Sequence, residues 1–467
     1  MSLHRISLPS LSMLTVMLLG LLSVSCSKRG EILDTVPADV VAVATVNVEK
    51  LCENAGVKFT PDGGIEVAAP IDAHVTGDIR EALTRVSQLK SSGAVDLTGA
   101  VMGVDAANET FITLAVNDLK ALRESTAEYL TWSDDASSYA IAENGNTAFV
   151  ANESQLWIMG GSGNNAIKNI ETMLKSAKEQ SINSLDGISQ VLARDNMANI
   201  VVASGSVLFV PTSGNISAAP QDREWNVLSL NVSPDNALVL ESELMQSTGR
   251  TIVPKGMKNI NPALLVYVPE NFNFTFAAGL TPQFDWSPLK QLVTVIGSFQ
   301  AAAFFSVITP YLESIDGTLL IAASFPQSPV ISTADPTDID FIVMVHMPQD
   351  KVNGLISMIG NMCAAAGVSP RMTGEGQMVI PQYGRDWHIG NVNGCFAIST
   401  IGFDNTNNNS LAPIFVNRDM AADLALNLPD GTGVQVSANM TNGKGQVKIS
   451  IPGTRTPLLV HILGLFL

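Results

Sequence analysis

The sequence predicts an α+β protein made of two tandem similar units with antiparallel sheets packed by helices. Three observations carry this reading. The stretch Val36-Pro37-Ala38-Asp39 leads into an alternating apolar run from Val40 to Val46, then a helix near Asn47. The same order recurs at Val268-Pro269-Glu270-Asn271, followed by Phe272-Asn273-Phe274-Thr275-Phe276 and a helix opening near Ser287. Two hairpin patterns, at 226–243 and 434–451, each set Asn near the end of the first strand (Asn231, Asn439), then an apolar residue and Ser or Thr. Alternation of period two marks strands, and a repeated order of such signals marks duplication.

Size and composition agree with that architecture. A chain of 467 residues with 46% apolar and 15% charged side chains can bury two or three proper cores. A net charge of −17 opposes nucleic acid and anionic head groups as partners, since both are held by Lys/Arg-rich patches.

In chain order, the first unit, 34–250, opens with the Val40–Val46 strand and a helix over Val48–Ala55. Pro61-Asp62-Gly63-Gly64 makes a turn, and a second helix follows over Gly77–Lys90. Ile79, Leu83, Val86 and Leu89 sit there at helical spacing and predict one buried face, with Gly93 closing the end. Strands are predicted over Leu97–Val104 and Phe111–Val116, then a helix over Asp118–Leu130 capped by Asn117. Short strands at Tyr139–Ala142 and Thr147–Val150 flank Asn144-Gly145, the signal for a tight hairpin, and Gln155–Met159 follows. A helix over Ala166–Glu179, another from Leu185 to Arg194, a strand over Ile200–Val210 and the 226–243 hairpin complete the unit. The polar, Gly/Pro-containing stretch 246–262 carries the boundary. The second unit, 260–467, repeats strand, helix, two strands, helix and three strands before its closing hairpin. The apolar run Leu458–Leu467 is too short to cross a bilayer and is expected to pack against this second unit.

Residues 1–25 form a secretion signal, with His4 and Arg5 before the apolar Leu11–Val24. Leu22-Ser23-Val24-Ser25-Cys26 resembles a bacterial lipoprotein cleavage box, with Ser23 where leucine is usual. The resemblance implies acylation of Cys26, and acyl chains acting together hold a protein on a membrane at about 0.8 kcal/mol per buried CH₂. Residues 26–33 are expected to be a tether. Ser27 in place of aspartate, and the lack of an acidic run, imply the outer membrane facing the periplasm, with surface exposure the other option. Asp34-Thr35-Val36 resembles a Bacteroidetes O-glycosylation acceptor, with Thr35 exposed just past the tether.

Cys52, Cys363 and Cys395 remain. An oxidising compartment allows one bridge, with Cys363–Cys395 the sensible pair; the alternative is three buried free thiols. Catalytic and cofactor patterns are thin. His74, His346, His388 and His461 are scattered, without metal-ligand spacing. Asp335, Asp338 and Asp340 could offer oxygen to calcium, but the glycine and closing glutamate of a calcium loop are missing. Ser287-Pro288-Leu289-Lys290 matches a Ser-x-x-Lys nucleophile in form, yet Ser-Pro at a helix start is a cap. Gly160–Gly163 lacks the lysine of a phosphate loop. Trp132, Trp286 and Trp387 are the candidate surface platforms for a sugar. No catalytic residue, metal ligand or cofactor is assigned.

The lipoprotein box, the short tether, Val36-Pro37-Ala38-Asp39-Val40-Val41-Ala42-Val43 and the following Lys50-Leu51 together resemble a family of uncharacterised Bacteroidetes lipoproteins. The resemblance implies location and architecture. The expectation is therefore an outer-membrane-anchored binding or scaffolding component of the cell envelope, with an envelope protein or glycan as partner. An envelope-polymer hydrolase with a dispersed site, or a pilus or adhesin subunit, are the alternatives.

Overall fold

The computed structural model describes residues 29–134, 139–160, 163–204, 218–287, 299–325, 339–373, 376–382, 384–404, 411–427, 431–454, 456 and 458–461. The stretch 1–25, expected to be a secretion signal, and Cys26 lie outside the described residues. The chain forms two units, one reaching Ile252 and including the stretch from Thr454 onward, the other Val253–Gly453. Both are α+β, and their described strands pair antiparallel.

The first unit contains β1 (Ala42–Val46), β2 (Val57–Phe59), β3 (Ile65–Val67), β4 (Val95–Val104), β5 (Thr110–Val116), β6 (Ser133–Asp134), β7 (Ala140–Asn144), β8 (Thr147–Ala151), β9 (Gln155–Gly160), β10 (Ala198–Ala203), β11 (Glu224–Val232) and β12 (Leu238–Gln246). β2 and β3 make a small separate ribbon. The rest lie in the order β6-β7-β8-β9-β5-β4-β1-β10-β11-β12.

β5 sits near the middle and is buried along nearly its whole length, so it reads as a continuous apolar run. Phe111 and Ala115 face one core, with Trp157, Trp225, Ile170, Ile188 and Leu192. Ile112, Leu114 and Val116 face another, with Val48, Leu83, Val86 and Leu122. Helices Arg29–Leu33, Gly163–Leu174 and Asp186–Leu192 supply the first layer. Val48–Asn54, Gly77–Ser91 and Leu119–Thr126 supply the second.

The stretch before β1 is held by long-range backbone bonds. The Ala38 amide donates to the Gln180 carbonyl (2.9 Å), and the Ile182 amide donates to the Val36 carbonyl (2.7 Å). Arg223, 8% exposed, donates from Nη1 to the carbonyls of Asp39 (3.1 Å) and Val40 (3.3 Å), and from Nε to that of Ala218 (3.0 Å).

Two expectations about the chain ends are corrected. Residues 29–33, read as tether, form a helix because Ile32 and Leu33 are apolar enough to enter the first core, each 1% exposed. The run beginning at Leu458, assigned to the second unit, belongs to the first. Val460 is 1% exposed there and fills the space over Gly56, where an added Cβ would lie 2.9 Å from the Val460 Cγ2.

The second unit contains β13 (Met257–Lys258), β14 (Phe274–Leu280), β15 (Gly317–Ser324), β16 (Asp340–His346), β17 (Arg371–Thr373), β18 (Gln377–Gln382), β19 (Arg385–Val392), β20 (Cys395–Ser399), β21 (Met420–Asn427), β22 (Gly433–Thr441) and β23 (Lys444–Ser450). Its order is β17-β18-β19-β20-β16-β15-β14-β21-β22-β23, with β13 on the end of β14. β14 starts two residues later than the Phe272 predicted, because the Phe272 amide donates to the Pro269 carbonyl (3.1 Å) and makes a turn.

Candidate ligand groove in the first unit

The side of the first sheet that carries Ile112 and Leu114 is only partly roofed. The roof is the Gly77–Ser91 helix, whose Ala82, Leu83 and Val86 are buried, and the Leu119–Thr126 helix, whose Leu122 is buried. The latter is capped by Asp118, one residue after the predicted Asn117, with Oδ1 accepting from the Ala121 amide (2.9 Å). Ile79, predicted to be buried, is 37% exposed, and Leu89 is half-buried. The two helices leave a cavity of about 1280 Å³ between themselves and the sheet.

Its floor is hydrocarbon. Ile200, Ala44, Met102, Ile112, Ile158 and Phe149 come from six strands and all line the cavity. Trp132 and Leu130 close one wall. The Trp132 Nε1 donates to Thr126 Oγ1 (2.8 Å), which satisfies the polar edge of the indole and leaves its ring as lining. Tyr129 stands beside it under the Arg85 guanidinium, 4.7 Å from the ring centroid, and burial raises its phenol pKa.

The mouth is polar. Asp78, Glu81, Arg85 and Glu109 line it, together with the hairpin tip Asn144-Gly145-Asn146. Arg85 is paired with Glu81, and Glu109 accepts from Asn169 Nδ2 (2.6 Å). The hairpin forms where the Asn-Gly signal predicts one, but its tip is Gly145-Asn146, one residue later, because Asn144 pairs with Thr147; Gly145 takes φ +61°, a value that favours glycine. Asp105 shapes the neighbouring β4–β5 turn, its Oδ1 accepting from the amides of Ala107 (2.9 Å) and Glu109 (2.8 Å).

The residues singled out in the sequence do not gather at this groove, apart from Trp132 and Gly160. Thr35, expected to be exposed, is half-buried, and its hydroxyl donates to the Ile32 carbonyl (2.8 Å) and lies 3.1 Å from Gln155 Oε1. Cys52, Cys363 and Cys395 are free thiols. The expected Cys363–Cys395 bridge is absent because the two side chains serve different cores. Cys395 packs with Ala397 and Phe415 on one face of its sheet, while Cys363 lies among residues that pack with Phe396 and Ile398 on the other. Burial pushes the Cys52 thiol up to about 12, aided by Glu49, and the Cys395 thiol up to about 11.

His346 is exposed at the end of β16, with Nδ1 2.7 Å from the Asp316 carbonyl oxygen. Asp340 is paired with Arg385, whereas Asp335 and Asp338 lie outside the described residues. No group of three metal-ligating side chains occurs among the described residues. Ser287 has its amide bound to Asp285 Oδ1 (2.9 Å); Lys290 lies outside the described residues. Trp286 packs edge-on against Phe284 and Trp387 against Phe341, at centroid separations of 4.9 and 5.2 Å. Trp132 lines the groove of the first unit, while Trp286 and Trp387 both pack against one core of the second.

The groove itself was missed in the sequence because its residues carry the ordinary signature of a strand core. The one signal available was excess: six strands place apolar residues on this face, while two helices, one of them only 8 residues long, lie above it.

No protein-family model matches the chain, and no match is found among curated proteins. Among solved structures it is similar to crystal form III of TP0453, with a TM-score of 0.31 and 8% identity over 46% of this chain and 79% of that one. Crystal form IV of TP0453 gives 0.29 and 9%, covering 47% and 83%. A likeness of that size carries no argument about fold or role. No described helix is long and apolar enough to cross a membrane.

Proposed function

We propose that this chain is an outer-membrane lipoprotein, acylated at Cys26 and facing the periplasm, whose body binds a component of the cell envelope. The half-roofed groove of the first unit is the observation that carries the binding role. It is a large concave site with apolar walls and a few polar groups at its rim, the usual form of a ligand pocket. At the mouth Glu81, Arg85 and Glu109 are engaged with protein partners, and the six floor residues carry no nucleophile, which favours binding over covalent chemistry. The resemblance of residues 20–60 to Bacteroidetes lipoproteins supports the anchor and the location.

The duplicated architecture belongs to the same reading. Counted from the strand after the Val-Pro stretch, β14 to β23 take the same neighbour order as β1 and β4 to β12. Phe111 and Phe341 fall on corresponding strands, β5 and β16, and Asn231 and Asn439 fall on β11 and β22. A ten-strand correspondence with shared anchors supports descent from one repeated module.

A photo-crosslinking amino acid placed at Ile158 in the native anchored protein tests the binding role. In intact cells it is expected to form an adduct that the exposed position Glu153 does not form. Equal yields at the two positions would remove the groove from the function. The anchor is tested separately: Cys26→Ala should move the protein out of the membrane fraction, and unchanged partitioning would defeat that part.

A further inference from the structure

The six floor residues of the groove form one continuous row. Direct cross-strand partners link Ile200 to Ala44, Ala44 to Met102, Met102 to Ile112, Ile112 to Ile158 and Ile158 to Phe149. The row therefore crosses β10, β1, β4, β5, β9 and β8 at right angles to their run. With strands ~4.8 Å apart, its five steps span about 24 Å. Ile200, Met102, Ile158 and Phe149 remain half-exposed, although each belongs to the apolar face of its strand.

Two physical facts select the occupant. Each of the six strands is paired on both sides, so the row offers no free backbone groups to a peptide or a glycan. Burying their polar groups there without partners costs on the order of 2–7 kcal/mol each, whereas a hydrocarbon chain has none to satisfy. At the mouth, Asp78, Glu81 and Glu109 face, among the described residues, a single cation, Arg85, already paired with Glu81. That excess of negative charge repels an anionic head and tolerates a neutral or zwitterionic one.

We infer that the groove holds a lipid alkyl chain laid across the six strands, carried by a neutral or zwitterionic head group at the mouth. This rests on the groove being the binding site, and it names the ligand class. A C–C bond of ~1.5 Å with an angle of ~111° advances about 1.25 Å per methylene, so the row accommodates about 18 to 20 carbons. Common acyl chains thus lie within it along their full length.

The test uses the mature chain from residue 26 carrying Cys26→Ser, so that no acyl group of its own competes. Lysophosphatidylcholine with a spin-labelled chain is titrated below its micellar concentration while the intrinsic tryptophan fluorescence, to which Trp132 contributes, is followed. Saturable quenching is expected, and its amplitude should be reduced in Trp132→Phe. In competition, unlabelled lysophosphatidylcholines from 12 to 18 carbons should bind about fourfold tighter per added methylene. Lysophosphatidylglycerol of equal chain length should bind about five- to tenfold more weakly. Ile158→Lys, and independently Met102→Gln, should weaken binding by tenfold or more while the circular dichroism spectrum is unchanged.

Absence of saturable quenching, or an affinity independent of chain length, would overturn the assignment to an alkyl chain. Equal affinity for the anionic lysolipid would overturn the assignment of the head group. If the Ile158 crosslinker captures a partner while the lysolipids fail, the binding role stands and this inference falls. If both fail, both readings fall.

Discussion

Replacing Arg223 by methionine tests the assembly that organises the first unit. The guanidinium reaches three carbonyls, those of Ala218, Asp39 and Val40, at 3.0, 3.1 and 3.3 Å. A hydrogen bond from a charged donor contributes about 1.5–3 kcal/mol, and a buried carbonyl left unpaired costs about 1–3 kcal/mol. Val40 is 0% exposed, so its carbonyl bears the full penalty, while Asp39 is exposed and its carbonyl can be rehydrated. Burial lowers the Arg223 pKa, and relief of that desolvation offsets part of the loss. The expected net destabilisation of the first unit is about 2–3 kcal/mol. Arg223→Lys should recover only part of it, since an ammonium cannot serve three carbonyls through a planar fork. Urea unfolding of the Cys26→Ser chain measures the total. Hydrogen exchange locates it: faster exchange is expected at the Val41 amide, which donates to the Val104 carbonyl, and at the Ala203 amide, which donates to the Val41 carbonyl. A loss below about 0.5 kcal/mol, with exchange at Val41 unchanged, would refute the view that Arg223 holds this stretch.

The remaining predictions concern groups whose environments are equally specific. In the native Cys26→Ser chain, Cys363 should react with iodoacetamide before Cys52 and Cys395, and all three should react in denaturant. At about 12, the Cys52 thiol carries about a thousandfold less thiolate than at its usual 9.0. Asp423 has a buried Oδ1 without a hydrogen-bond partner, and burial raises its pKa. The folded state therefore holds that proton more tightly than the unfolded one, a stabilisation present below the unfolded pKa and lost as pH rises through the folded value. Asp423→Asn should raise stability at pH 7 and flatten its decline above pH 4, as read by melting temperature across pH. Removing residues 454–467 should destabilise the first unit by about 2–4 kcal/mol through loss of the Val460 packing over Gly56, and Val460→Ala should account for about 1–2 of that in urea unfolding.

Much of the local architecture was legible in the residues themselves. Asn442-Gly443 marks a hairpin in which both tip residues take positive φ, Asn442 at +51° and Gly443 at +77°, whereas the hairpin signalled by Asn144-Gly145 turns one residue later, on Gly145-Asn146, with Gly145 at +61°. The Gly93 φ of +67° ends the Gly77–Ser91 helix as its sequence implies. The 226–243 hairpin turns where Ser233-Pro234-Asp235-Asn236 directs it, with Asn236 at +61°.

The groove was not legible in the same way. Met102, Ile112 and Ile158 alternate as core residues do, and nothing in their own segments states whether a helix will cover them.

Local residue patterns specify the class of fold and the places where the chain must turn, since period and backbone sign are set by a few neighbouring residues. Tertiary structure decided the rest. It sent Cys363 and Cys395 to opposite faces, drew Ile32 and Leu33 into one core of the first unit and Val460 into the other, and left the row from Ile200 to Phe149 half covered. Those outcomes depend on which surfaces, often more than a hundred residues apart, exclude water from one another, and that competition is resolved only when the whole core closes.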